Sequence, residues 1–170
     1  MIKEETIEMG AVTGKLRALA QDMRLKILVV DDDELERFLI ADRLEARGFE
    51  VAHAANGAEA LAHLEGQPFP YPVILVDWQM PVMNGIELTQ KLRASGMDES
   101  YIIMLSARDT SLDYEAGYRA GVDDYLTKKT RDPELIARIH AGLATFSLRH
   151  SLKEARAALA EALASKAAAA

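Results

Sequence analysis

The chain has 170 residues, of which 49% are apolar and 28% are charged, and its formal net charge is −7. This balance is typical of a globular domain. The net negative charge does not indicate a basic surface that would bind nucleic acid or an anionic membrane. The chain has no cysteine, which excludes disulfides and thiolate zinc sites. No apolar run approaches the ~20 residues of a membrane helix, and the N-terminus is not a secretory signal. We therefore expect a soluble, cytoplasmic protein without membrane or direct nucleic-acid contacts.

Short aliphatic runs alternate with helical patterns from residue 26 onward. The runs cover five or six positions and predict strands, whereas the segments between them show an apolar face at helical spacing. Candidate N-caps at Asn56, Asn84 and Asp132, the last followed by Pro133, mark helix starts. In chain order the predicted elements are strand 26–31, a helix ended by Gly48, strand 49–54, helix 56–64, strand 73–77, helix 85–95, strand 101–106, helix 112–120, strand 123–127 and a last helix from Pro133 to about Leu163.

The order of these elements predicts the fold class. Strands that alternate with helices form right-handed βαβ crossovers, and the continuously apolar central runs suit a parallel sheet that helices cover on both faces. We therefore predict an α/β domain with a doubly wound, five-stranded parallel sheet over residues 26–147. Ligands of such sheets bind outside the carboxyl ends of the strands.

Polar residues stand at the carboxyl ends of four predicted strands. Asp31 and Asp32 close the first, Asp77 ends the third, Ser106 ends the fourth, and Lys128 follows the fifth. Because the strands are parallel, these side chains meet at one edge of the sheet. Two carboxylates about 5 Å apart repel by roughly 3 kcal/mol at an effective dielectric of about 20, so a cation must offset the cluster. Mg²⁺ suits it, since this ion accepts carboxylates together with water and phosphate oxygens.

Such a pocket predicts an aspartate that accepts a phosphoryl group. Asp77 ends a buried strand, which holds its carboxylate rigidly where a metal and a phosphate can meet it. Lys128 offers a positive charge and Ser106 a hydrogen bond to the incoming phosphoryl group. Asp33, the third acid after the first strand, is expected to face solvent or to cap the next helix instead of binding the metal.

Four segments, LVVDDD, VDWQMPVMNG, LSAR and DDYLTKK, occur in this order. Together they resemble the receiver domain of two-component response regulators, over about residues 26 to 146. The resemblance implies a flavodoxin-like fold with strand order 2-1-3-4-5 and a histidine kinase or histidine phosphotransfer protein as partner. It implies Mg²⁺ at Asp31, Asp32, Asp77 and the backbone carbonyl of Gln79, phospho-acceptance by Asp77, phosphoryl contacts by Ser106 and Lys128, and a switch formed by Ser106 and Tyr125.

One residue departs from the pattern of that family. The family usually has a proline after the lysine, joined by a cis bond, whereas Lys129 follows Lys128 here. A cis bond before a residue other than proline costs about 2.5–4 kcal/mol, so we expect a trans bond.

The predicted last helix is longer than the domain requires. Beyond Phe146 an apolar stripe repeats at spacings of four and three, which predicts a coiled-coil helix over 148–170 and a homodimer formed through it. An alanine-rich helix without a partner is the alternative. The stretch from Ile136 to Leu163 also resembles the signalling helix that precedes GGDEF diguanylate cyclase domains. The stripe consists of Leu148, Leu152, Ala155, Leu159 and Ala162, and a weaker one in residues 1–25 predicts an N-terminal helical extension.

The main functional prediction is a phosphorylatable receiver, which is not an enzyme beyond its own phosphorylation and dephosphorylation. A receiver fragment of a larger output enzyme, such as a diguanylate cyclase, and a non-signalling receiver-like scaffold are the alternatives. A phosphatase of the haloacid dehalogenase kind is disfavoured, because it needs a second acid two residues after the nucleophile, where this chain has Gln79. The four histidines show no metal-ligand spacing such as HExxH.

Overall fold

The computed structural model describes residues 26–65, 71–96, 99–106 and 111–168. Five parallel strands form one sheet in the order β2-β1-β3-β4-β5, which confirms the predicted fold class and strand order. The predicted N-terminal extension, residues 1–25, lies outside the described residues. The elements are β1 Lys26–Val30, α1 Glu34–Glu45, β2 Glu50–Ala54, α2 Gly57–Leu64, β3 Val73–Asp77, α3 Gly85–Ala94, β4 Tyr101–Ser106, α4 Ser111–Ala120, β5 Asp124–Thr127 and α5 Asp132–Ala168.

The sheet separates two apolar layers. Successive side chains of a strand point to opposite faces, so Ile27 and Val29 pack with α1 and α5, whereas Leu28 and Val30 pack with α2 and α3. The central strand β3 is buried at all five positions, as its aliphatic sequence predicted. Burial on both sides fixes the strand register and therefore the positions of the residues that end each strand.

Three predicted helix caps are confirmed. The Asp33 carboxylate accepts a hydrogen bond from the Glu36 N–H at 3.0 Å, so the third acid after β1 caps α1 as expected. The Asn56 side chain caps α2 in the same way. Asn84 and Glu87 exchange side chain to backbone hydrogen bonds at the start of α3, which forms a capping box.

The last helix, α5, begins at Asp132, one residue before the predicted start, and ends at Ala168, five residues beyond the predicted Leu163. Its 37 residues span about 55 Å. It continues because the residues after Leu163 are mainly alanine, the strongest helix former. The Lys128–Lys129 bond that precedes it is trans, as expected. Within the part of the chain that the structure describes, no helix has both the length and the apolar character to cross a membrane.

Candidate functional site

The carboxyl ends of β1 and β3 lie side by side and bring three acids together. Val30 pairs with Val76, so Asp31 and Asp77 emerge next to each other at one edge of the sheet. Asp31 is fully buried and Asp77 is only 7% exposed, whereas Asp32 is exposed. One carboxylate oxygen from each of Asp31, Asp32 and Asp77 lies within 4.8 Å of the other two. We call these three residues the acid cluster.

Lys128, which follows β5, provides a positive charge against the acid cluster. Its Nζ lies 2.7 Å from Asp31 Oδ2 and 3.3 Å from Asp77 Oδ1. The backbone N–H of Lys128 donates to the Ser106 carbonyl at 3.0 Å, which ties the residue to the end of β4. The trans bond to Lys129 therefore does not prevent Lys128 from reaching the two buried acids.

The charge and chemistry of the acid cluster fit a hard divalent cation. Three carboxylates against one ammonium leave two negative charges when all groups are ionised. Asp31 Oδ2 is buried and accepts no hydrogen bond of good geometry from any residue within the described ranges, although it faces the Lys128 ammonium. Carboxylate oxygens at this spacing are the ligands that Mg²⁺ prefers. Asp31, Asp32 and Asp77 are therefore the residues that could hold such an ion.

Burial controls the ionisation of Asp77. It raises the pKa of this carboxyl group from 3.8 to about 6; the Lys128 ammonium opposes the rise, and the negative charges of Asp31 and Asp32 add to it. Burial alone would lower the pKa of Lys128, but its contacts with Asp31 and Asp77 outweigh this effect and raise it. Lys128 is therefore charged at neutral pH. A cation in the acid cluster would favour the carboxylate form of Asp77, which is its nucleophilic form.

The main chain around the acid cluster is held by specific contacts. The Asp33 N–H donates to Asp31 Oδ1 at 3.0 Å, and the Arg37 guanidinium donates to the Asp31 carbonyl at 2.5 Å. After β3, the Trp78 N–H donates to the Leu105 carbonyl at 3.0 Å, and the Trp78 carbonyl accepts from the Gly85 N–H at 3.2 Å. The first of these two bonds ties the residue after Asp77 to β4, and the second closes the loop between β3 and α3.

The other predicted site residues lie at the end of β4, in the loop after β3 and in β5. Ser106 is half-buried at the end of β4, one residue past Leu105, which pairs with Asp77. Gln79 lies in the loop after β3 with an exposed side chain, and the metal contact of its carbonyl stays a prediction. Tyr125 lies in β5, and its ring centroid is 6.5 Å from that of Trp78.

Tyr125 packs against α4 as well as Trp78. Its ring meets the Tyr118 ring edge to face at 5.1 Å between centroids. Its hydroxyl group lies against Gly117, where a Cβ would come within 1.4 Å of the oxygen. Trp78, the residue after the candidate acceptor Asp77, therefore contacts Tyr125, the candidate switch residue.

Sequence reasoning missed several of these neighbours. Glu36 places a carboxylate oxygen 4.0 Å from Lys128 Nζ, and Arg37 supports the main chain of Asp31. Trp78 is half-buried, and its ring lies beside that of Tyr125, with 6.5 Å between centroids. No spacing in the sequence indicates these contacts, because they depend on how the loops fold over the sheet edge.

Comparison with known families agrees with this arrangement. Residues 27–140 match the family described as "Response regulator receiver domain". The transcriptional regulatory protein CpxR of Klebsiella pneumoniae is 41% identical over 116 residues, which cover 68% of this chain and 48% of that protein. The chain thus spans about half the length of the curated relatives that it matches.

Solved structures are similar over nearly their whole length. The receiver domain of the Francisella response regulator 1452 is 36% identical, with a TM-score of 0.64 and coverage of 70% of this chain and 96% of that one. The receiver domain of the sensor histidine kinase PA1611 from Pseudomonas aeruginosa is 30% identical, with a TM-score of 0.65 and coverage of 71% and 98%. That structure contains a magnesium ion coordinated in its active site cleft.

Proposed function

The chain belongs to the response regulator receiver family, and from this premise we propose that Asp77 accepts a phosphoryl group from a phosphohistidine donor. The observation that carries the proposal is the buried carboxylate of Asp77 beside two further acids and the Lys128 ammonium. An Asp77 oxygen attacks the phosphorus atom in line, a P–O bond forms, and the P–N bond to the donor imidazole breaks. The imidazole nitrogen keeps the electron pair and takes up a proton. The product is an aspartyl phosphate.

Asp31, Asp32 and Asp77, with the carbonyl of Gln79, would hold Mg²⁺, which supplies charge neutralisation for the phosphoryl oxygens. Lys128 contacts both Asp31 and Asp77 and would bind a phosphoryl oxygen through its ammonium group. The Ser106 hydroxyl would donate a hydrogen bond to another. Burial of Asp31 and Asp77 keeps these groups in place and limits the access of water.

The direct test is phosphorylation by acetyl phosphate in the presence of Mg²⁺, read as the intact mass. We expect a phosphoryl-sized increase that requires Mg²⁺ and that Asp77→Asn abolishes. Asp33→Asn is the matched control, because it removes a neighbouring acid while asparagine preserves the N-cap of α1. An unchanged wild-type mass, with a known receiver as positive control, would contradict the proposal and favour the non-signalling scaffold.

We propose that the phosphohistidine-bearing partner, a kinase or phosphotransfer protein, docks on α1. Leu35, Phe38 and Leu39 are 66%, 64% and 50% exposed and lie on α1, which follows Asp31 and Asp32 in the chain. Large exposed apolar side chains beside a polar site are typical of protein interfaces. Phe38→Ala is expected to slow phosphoryl transfer from such a protein but not from acetyl phosphate. An equal effect on both donors would contradict docking at this surface.

We further propose that α5 dimerises through the exposed leucines Leu148, Leu152, Leu159 and Leu163, which we call the leucine stripe. They are 50–72% exposed and follow one side of the helix. Replacing Leu152 and Leu159 by serine should halve the mass measured by light scattering. Serine at Ala157 and Ala164, which are exposed on the other side of the helix, is the control. A monomeric wild-type protein would contradict the proposal.

The output of the receiver is proposed to lie in a larger regulator. The length of α5 and its resemblance to the signalling helix before GGDEF domains support a role in which this chain is the receiver part of a larger regulator. The relative CpxR is named as a transcriptional regulator, so the absence of direct nucleic-acid contacts stays a prediction for the residues of this chain alone. The cytoplasmic location stays a prediction as well.

A further inference from the structure

Two largely buried carboxylates lie at the edge of the sheet opposite the acid cluster, where β4 and β5 begin. Glu99 precedes β4 and is 6% exposed. Asp123 precedes β5, and its side chain is 10% exposed. Carboxylates at such depth need positive partners, because an unpaired buried charge is strongly unfavourable.

The partners of both carboxylates come largely from α5. The Asp123 carboxylate accepts from Arg149 Nη2 at 2.5 Å and from Arg93 Nη2 of α3 at 2.7 Å. The Glu99 carboxylate contacts His150 Nδ1 at 2.5 Å and also binds the Lys153 ammonium. The domain therefore holds α5 beyond Phe146, the last apolar core residue of the helix.

Two further contacts fix this part of α5. The His150 ring stacks on the Phe146 ring, with 5.8 Å between centroids and 7° between planes. The Lys153 ammonium also donates to the Gly96 carbonyl at 3.3 Å. From Glu154 to Ala167, by contrast, every side chain is exposed. The attachment thus ends at Lys153.

We propose that Glu99 and Asp123, with Arg149, His150 and Lys153, form a joint that makes α5 leave the receiver as one rigid helix in a fixed direction. On this proposal the receiver ends after Lys153 and not after residue 147. The remaining helix, up to Ala168, projects about 22 Å. The joint is defined by those five residues.

The joint also sets which side of the projecting helix is free. At about 100° per residue, the leucine stripe is centred about 120° around the helix axis from Phe146, Arg149, His150 and Lys153. A second copy can therefore pack on the stripe without displacing the joint. Only this consequence rests on the proposed dimer; the joint itself does not.

The joint connects the helix to the strands that carry candidate switch residues. The Asp123 carboxylate accepts from the Ile102 N–H of β4 at 2.8 Å and lies next to β5. The far ends of these strands carry Ser106 and lead to Lys128. A shift of either strand on phosphorylation would therefore reorient the projecting helix, which makes the helix the output element of the receiver.

The rigidity of the joint can be measured on the full chain by the distance between two spin labels. The chain has no cysteine, so Lys91→Cys on α3 and Ala160→Cys on α5 give unique sites, and dilution with unlabelled chain leaves only distances within one chain. We expect a single narrow distance distribution. The double substitution His150→Ala with Lys153→Ala should broaden it at least twofold, and the conservative Glu99→Gln should broaden it in the same direction.

Arg156→Ala is the matched control, because it removes an exposed charge of the same helix just beyond the joint. A broad distribution in the unsubstituted chain, or one that stays narrow in both joint variants, would overturn the proposal. The joint variants should still gain the Mg²⁺-dependent phosphoryl mass. If the unsubstituted chain gains no phosphoryl mass, the phospho-acceptor proposal is wrong, but the proposal of the joint is unaffected.

Discussion

The main-chain carbonyl of Asp77 lies so close to Gly85 that no side chain fits between them. A Cβ at residue 85 would lie 2.4 Å from that oxygen and 2.9 Å from Met104 Sδ. Gly85 also donates its N–H to Trp78, the residue after Asp77. The first residue of α3 is thus packed directly against the backbone of the candidate acceptor, and the absence of a side chain there allows the close approach.

Replacement of Gly85 by alanine should therefore disturb Asp77. The overpacked backbone is expected to lower the free energy of unfolding by about 1–3 kcal/mol and to slow phosphorylation by acetyl phosphate. Urea unfolding and intact-mass kinetics measure the two effects. Gly96→Ala is the comparison, because a Cβ there meets nothing within 4 Å, but φ is +81°. Gly96→Ala should be less stable than the wild type but should be phosphorylated at the same rate. If Gly85→Ala is phosphorylated as fast as the wild type, the packing of Gly85 does not control the position of Asp77.

The ionisation of Asp77 predicts a pH-dependent stability in the absence of metal. Its pKa of about 6 in the folded protein exceeds the ordinary 3.8, so the folded chain retains a proton there that the unfolded chain loses. The free energy of unfolding therefore falls as pH rises from about 4 to 6. Above that range the destabilisation caused by ionised Asp77 is constant. Asp77→Asn should raise the free energy of unfolding at pH 7.5 by about 1–3 kcal/mol, and by less at pH 5.

The effect of Mg²⁺ on stability tests independently whether ionised Asp77 destabilises the metal-free protein. If the acid cluster binds the ion, Mg²⁺ should stabilise the wild type at pH 7.5 and stabilise Asp77→Asn much less. Asp33→Asn should respond like the wild type. Thermal unfolding with EDTA or Mg²⁺ measures the difference, and equal shifts in the wild type and Asp77→Asn would contradict metal binding at Asp77.

Val82, in the loop after Asp77, has a strained backbone. Its φ is +68°, in the left-handed region, and the residue is 84% exposed. This region is unfavourable for a β-branched residue by about 1–2 kcal/mol. Val82→Asn should raise the free energy of unfolding by about 1 kcal/mol, because asparagine tolerates this conformation. Val82→Thr keeps the branch and should bring no gain; equal stability of the two variants would refute the assignment of strain.

Gly117 and Tyr125 should be energetically coupled. Alanine at residue 117 favours a helix by up to about 1 kcal/mol, but its Cβ would meet the Tyr125 hydroxyl group. Gly117→Ala is expected to destabilise the protein and to change the fluorescence of Trp78, the single tryptophan, by displacing Tyr125. In a Tyr125→Ala background the same change should be neutral or stabilising. Additive effects in this double-mutant cycle would show that the two residues do not interact.

Most of the secondary structure followed from local patterns in the sequence. The five strands and the caps at Asp33, Asn56 and Asn84 could be predicted because hydrophobic periodicity and capping act over a few residues. The end of α5 was placed too early, since alanine after Leu163 extends a helix without an apolar pattern. Local patterns therefore set element types better than their ends.

The acids at the strand ends were predictable for a topological reason. Parallel strands put their carboxyl ends at one edge, so the sequence alone determined that Asp31 and Asp77 would lie together and that a lysine after β5 would face them. Only the tertiary structure decided the contact of Gly85 with the Asp77 carbonyl and the packing of the Tyr125 hydroxyl group against Gly117. It also decided the ion pairs that join α5 to Glu99 and Asp123. These contacts join residues distant in the chain, and their formation depends on atomic packing between elements, which no local pattern of residues encodes.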